Sequence, residues 1–246
     1  MKEVRMEGLG WGLVFLGWVL SAGCSPREAR LAGSRREMVI ERLTAEALKA
    51  APGAAVLTIG NPFAGLAGSD PSLREVEDAS RRGVTRAVEK AGAKLAGSTV
   101  PRLREDAMRD PTSVPIPTGA STPISFMTER GAWDRIGSEF SGAGLWISWV
   151  GLPADLAETR AWVESGGPKW ALYMPDLRLV GTREGVKEAF ESGKLVAVVL
   201  ARPGAPPESE AMLPDAQAEF DRRYVLVTRD RWEAVEREWP TLLASP

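Results

Sequence analysis

Asp155 and Asp176 each fall just past an apolar run of the chain, in PADLAETRAW and MPDL. Two carboxylates about 5–9 Å apart can act as acid and base on a glycosidic bond, and oxygen ligands of this kind can also hold a hard cation. Asn61, Arg102 and Arg202 stand at equivalent places after three other apolar runs. A guanidinium there could clamp an anionic ligand through its planar fork of donors. Each residue also has a plainer use: Asp155 is placed as a helix N-cap, Asp176 as a turn residue, and the arginines as solvated surface charge. The five residues Asn61, Arg102, Asp155, Asp176 and Arg202 are the candidate ligand-binding set, and no catalytic residue is assigned.

The 246 residues contain no histidine. That excludes Ser-His-Asp and Cys-His nucleophile systems as well as HExxH zinc sites. Gly60, Gly65 and Gly68 in GNPFAGLAG have the context of a phosphate loop, but Leu66 and Ala67 stand where Lys and Ser/Thr should follow. These glycines read instead as suppliers of positive φ. No cofactor and no metal is expected. With a net charge of -2 and basic and acidic residues interspersed, no nucleic-acid partner is expected either. Trp146 and Trp170, inside apolar runs, and Trp162, Trp232 and Trp239, on helix faces, read as core. Trp133 and Trp149, nearer a loop or an edge, are the two with access to a ligand.

The elements that must position these residues follow from periodicity. Six short apolar runs, 54–60, 94–100, 145–151, 169–175, 195–201 and 224–230, alternate with amphipathic stretches. Most of the runs are nearly continuous, as in strands buried on both faces. Asp70-Pro71 is placed to cap and open a helix ended by Gly92, and Asp230 with Glu233 has capping-box spacing ahead of Trp232. The order argues for an α/β class: a three-layer Rossmann-like domain over 37–246, with a mainly parallel sheet of about six strands and helices on both faces. Returns from helix to strand are terse, whereas the 61–69, 102–123 and 202–214 connections are long. In open parallel sheets such loops gather at the carboxyl ends of the strands, where ligands bind.

Residues 1–23 carry Lys2 and Arg5, an uncharged stretch from Leu9 to Leu20, and the small residues Ser21, Ala22 and Gly23. This is the layout of a secretory signal, too short to span a bilayer well. LSAGC, ending at Cys24, the one cysteine of the chain, resembles the lipobox of bacterial lipoproteins, although its Leu stands four rather than three residues before the cysteine. The resemblance implies acylation of Cys24, and SPREARLAGSRR (25–36), polar with no apolar period, reads as a tether, so that 24–36 are the lipidated cysteine and a flexible tether. In Gram-negative lipoproteins, Ser25 resembles the outer-membrane pattern. GTREGVKEAFESGKLVAVVLARP resembles one lobe of the type I periplasmic-binding fold. The leading expectation is a lipid-anchored envelope protein facing the periplasm. It would bind a small molecule or an envelope protein partner. The alternative is a histidine-free, carboxylate-dependent hydrolase or lyase, which requires Asp155 and Asp176 to converge in a pocket with at least one raised pKa.

Overall fold

The computed structural model describes residues 26–243; the expected signal segment and Cys24 lie outside them. Six strands form one sheet: β1 (Val56–Ile59), β2 (Leu95–Thr99), β3 (Leu145–Ser148), β4 (Lys169–Tyr173), β5 (Leu195–Ala201) and β6 (Tyr224–Val227), in the order β2-β1-β3-β4-β5-β6. Every neighbouring pair is parallel except β5 and β6, where Ala201 faces Tyr224 and Val198 faces Val227. β1, β3 and β6 are buried along their whole length. β2 is an edge strand of sequence LAGST with partly exposed positions, so the expectation of burial on both faces does not extend to it.

Among the described residues there are eight α-helices: α1 (Pro26–Ala50), α2 (Pro71–Lys90), α3 (Glu105–Arg109), α4 (Ala132–Glu139), α5 (Arg160–Val163), α6 (Arg183–Glu191), α7 (Ala216–Arg223) and α8 (Trp232–Glu238). Alternation along β4 sorts them into layers. Trp170 points to the side of α4 and α5, where its ring lies 5.4 Å from that of Trp133 and 5.8 Å from that of Trp162. Trp146, its register partner on β3, completes the cluster at 4.9 Å. Ala171 and Tyr173 point to the opposite side, where the Arg36 guanidinium of α1 lies 3.9 Å above the Tyr173 ring. Ala171 pairs in register with Ala197 of β5. Two small side chains there let Val39, Ile40, Leu43 and Ala47 of α1 pack close to the sheet, all four fully buried.

The stretch expected to be a tether is helical from Pro26 onward, continuous with the amphipathic helix that follows. Its buried anchor is a guanidinium rather than a methyl group, which is why no apolar period marks it. Arg35, 2% exposed, donates to the carbonyls of Glu208 and Glu210 and to the Glu219 carboxylate. Glu219 also accepts from the Leu213 amide and from Arg222 and Arg223. Burial pushes its carboxyl up, but the Leu213 amide and the two guanidiniums outweigh that and hold its pKa down to about 2.

Asp70 caps α2 as its spacing implies, accepting from the Ser72 amide at 2.7 Å with Pro71 as the first helical residue. The capping box expected at Asp230 and Glu233 does not form. A tight turn over Arg229–Arg231 precedes α8, and Asp230 accepts from the Thr228 hydroxyl at 2.7 Å instead.

Candidate functional site

The chain leaves β1 toward β2 on one side, while β3 and the strands after it lie on the other, so the carboxyl ends of β1 and β3 bound the topological switch point of the sheet. The Glu77 carboxylate of α2 fills that crevice. Its Oε2 accepts from the Trp149 indole at 2.7 Å and from the Asn61 amide at 3.1 Å, and its Oε1 accepts from Arg81 at 3.2 Å. Glu77 is 4% exposed and Trp149 7%. A Cβ on Gly60 would overlap the Glu77 carboxylate, so glycine is required there for close approach. Of the three loop glycines expected to supply positive φ, only Gly68 does so.

The long connection after β2 folds over the same edge. Leu103 bridges to Thr128, and Leu103, Ala107, Val114 and Met127 enclose a small second core against Phe63. Further along, the Thr122 hydroxyl donates to the Met174 carbonyl at 2.9 Å and the Ser121 amide donates to Asp176 at 3.3 Å. These bonds seat the loop on the end of β4, where Met174 holds a left-handed φ of 47°.

The five candidate residues are dispersed along this edge and engaged in local bonds. Asn61 caps the turn after β1, accepting from the Phe63 amide at 2.9 Å. Asp155 accepts from the Gly131 amide at 2.8 Å, tying the loop after β3 to the start of α4. Asp176 accepts from the Arg178 amide and side chain. Burial raises its carboxyl, yet the Arg178 guanidinium leaves it below the usual carboxylate value. Arg102 is exposed, and its carbonyl accepts from the Glu129 amide. Arg202 bonds the Asp221 carbonyl and lies 5.2 Å from the Trp239 ring centroid. Held ionised by Arg178, Asp176 lacks the raised pKa that an acid catalyst needs, and the enzyme alternative is not favoured.

Trp133, expected near a ligand, is 1% exposed and belongs to the core cluster. Glu77 was not among the candidates, although its position carries a signal. It lies four residues after Leu73 and seven before Val84, a charge set into the apolar stripe of α2.

Among the described residues seven large apolar side chains are exposed, and five of them come from the carboxyl-edge connections: Leu66, Val100, Met108, Ile116 and Leu213. The other two, Leu95 and Val163, sit at the opposite edge. A concavity of about 340 Å³ also lies at that opposite edge, lined by Asp134, Phe140, Trp146, Arg160 and Glu164, and an open groove of about 670 Å³ runs between α1, α2 and α7. Among the described residues no group of three or more Cys, Asp or Glu is arranged to hold a metal ion, and no helix is long and apolar enough to cross a membrane.

No family model and no curated protein matches the chain. Solved structures similar to it include a periplasmic solute-binding protein of an ABC transporter from Actinobacillus succinogenes with bound D-allose. It is 10% identical, with a TM-score of 0.47 over 87% of this chain and 69% of that one. A periplasmic ribose ABC transporter structure from Conexibacter woesei is 14% identical, with a TM-score of 0.44 over 84% and 62%. An ABC transporter solute-binding protein from Burkholderia graminis, in complex with D-arabinose, is 12% identical, with a TM-score of 0.40 over 81% and 61%. The chain thus spans between 61% and 69% of the length of these proteins.

Proposed function

We propose that the chain is an exported lipoprotein, acylated at Cys24 and facing the periplasm, whose single α/β domain over 37–246, continued by the first turns of α1, binds a partner through the carboxyl edge of its sheet. The observation that carries the binding part is the gathering of exposed Leu66, Val100, Met108, Ile116 and Leu213 in the connections of that edge. Exposed apolar side chains concentrated on one side mark an interaction surface. Glu77 and Trp149 close the switch-point crevice, which favours engagement over a surface rather than a small ligand held between strands. The anchoring part rests on the lipobox resemblance of LSAGC and on the short apolar run before it. Ser25 points to the outer membrane.

Metabolic labelling with an alkyne palmitate tests the anchor. The chain is expected to take up label and to sediment with membranes, and Cys24→Ala to lose both properties. Label retained in Cys24→Ala would overturn the assignment.

A further inference from the structure

The course of α1 says which way the domain faces. Arg36 stacks on Tyr173, the last residue of β4, while Lys169, the first residue of β4, donates to the carbonyl of Ala50 at 2.8 Å. α1 therefore runs antiparallel to β4, and its N-terminus lies beyond the carboxyl ends of the strands. At about 1.5 Å rise per residue, Pro26 stands about 15 Å past Arg36. Cys24 is two residues further along the chain, a reach of at most about 7 Å. The helix has little freedom to swing. Arg35 is locked to the 208–210 loop and to Glu219, and Gly33 packs against the Glu75 side chain.

We infer that the carboxyl edge docks on the bilayer that holds the acyl chains of Cys24, with Leu66, Met108 and Leu213 entering the lipid interface. This inference rests on the lipoprotein reading above and names the partner of that edge as the lipid surface itself. Three observations point to lipid. The N-terminus of α1, two residues from Cys24 in the sequence, and the exposed apolar side chains lie on the same edge; α1 is pinned at Gly33 and Arg35; and Arg27 and Arg30 are exposed in its first turns. Arginines so placed favour anionic lipid, and each apolar side chain adds area buried at the interface.

The test uses the full chain, acylated and reconstituted into phosphatidylethanolamine–phosphatidylglycerol vesicles. Cys24 is the one native cysteine, so Leu66→Cys, Met108→Cys and, at the opposite edge, Ser192→Cys each give a single site for an environment-sensitive fluorophore. With all three variants floating with the vesicles, labels at 66 and 108 are expected to emit to the blue. A lipid-borne nitroxide should quench them at least threefold more than the label at 192. Equal quenching at all three sites, or none at 66 and 108 in a chain that still floats, overturns the docking and leaves the anchor standing. A blue-shifted label at 108 that lipid quencher does not reach means a protein partner or a second copy, which also overturns it. Failure of the acylated preparation to float sinks the anchor reading and this inference together.

Discussion

The Glu77 carboxylate accepts the Trp149 indole N–H at 2.7 Å, closing the one crevice where strand order reverses. The same oxygen holds the Asn61 amide at 3.1 Å, so one side chain of α2 ties together the ends of β1 and β3. Glu77→Ala would leave the buried Trp149 indole and the half-buried Asn61 amide without this partner. A buried orphan costs about 1–3 kcal/mol and a half-buried one less, so the variant should lose about 2–4 kcal/mol in urea unfolding. Glu77→Gln, which keeps one amide oxygen, should lose less. The indole of Trp149 also leaves its hydrogen bond in Glu77→Ala, and a change in tryptophan emission of the native state should accompany the loss.

Arg35 makes the first turns of α1 part of the domain. Its removal would leave Glu219 with a weaker set of donors, take away the Arg35 bond to the Glu208 carbonyl and leave the Glu210 carbonyl to Arg223 alone. Breaking a buried pair outright costs about 3–5 kcal/mol, and the loss here should be smaller because Arg222 and Arg223 still face Glu219. Arg35→Ala is therefore expected to unfold at lower denaturant and to become sensitive to a glutamyl endopeptidase after Glu208 and Glu210. Were residues 26–36 only a tether, neither the midpoint nor the cleavage pattern would move.

Glu219 also sets a pH window. Its folded pKa of about 2 lies below the ordinary value of 4.5, so its contribution is fully present above about pH 4.5 and is lost as pH falls toward 2. In urea titrations at pH 7, 5, 4 and 3, the stability gap between the native chain and Glu219→Gln should stay constant from pH 7 to 5. It should then narrow at pH 4 and 3. A gap that widens on acidification would contradict the hydrogen-bond arrangement around this carboxylate.

How much of this was legible in the sequence follows from what each residue buries. Most of the strands show as apolar runs because a sheet covered on both faces selects continuous apolar side chains, and LVAVVLA does so to its end. The cap at Asp70 shows because its bond is local. The start of α1 does not show, since Arg35 is buried by partners more than 170 residues away. Glu77 hides for the same reason: Trp149 lies 72 residues on in the chain. The antiparallel direction of β6 was not legible either, because an apolar run reads the same in both directions. Candidates chosen for standing at strand ends do lie along the carboxyl edge, yet Asn61, Asp155 and Asp176 bond the backbone there.

Ala171 and its register partner Ala197 give α1 its seat on the sheet. Enlarging one of them forces the helix outward or drives side chains off their rotamers, at about 1–3 kcal/mol. Ala171→Leu should lower the thermal midpoint and expose the Arg36–Tyr173 stack, whereas Ala→Leu at exposed Ala91 should do neither.

The exposed apolar side chains of the carboxyl edge make the opposite prediction. Leu66 is 41% exposed and Met108 50%, and neither belongs to the cores beneath them. Surface substitutions away from packed features usually stay within about 0.5 kcal/mol. Leu66→Asp and Met108→Asp should therefore leave the unfolding curve in place. If the edge works as an interaction surface, the same changes should release the domain from whatever it rests on, read as weaker crosslinking of 66–108 to lipid or protein in the envelope. A large loss of stability in either variant would assign these side chains to folding and remove the basis for a surface there.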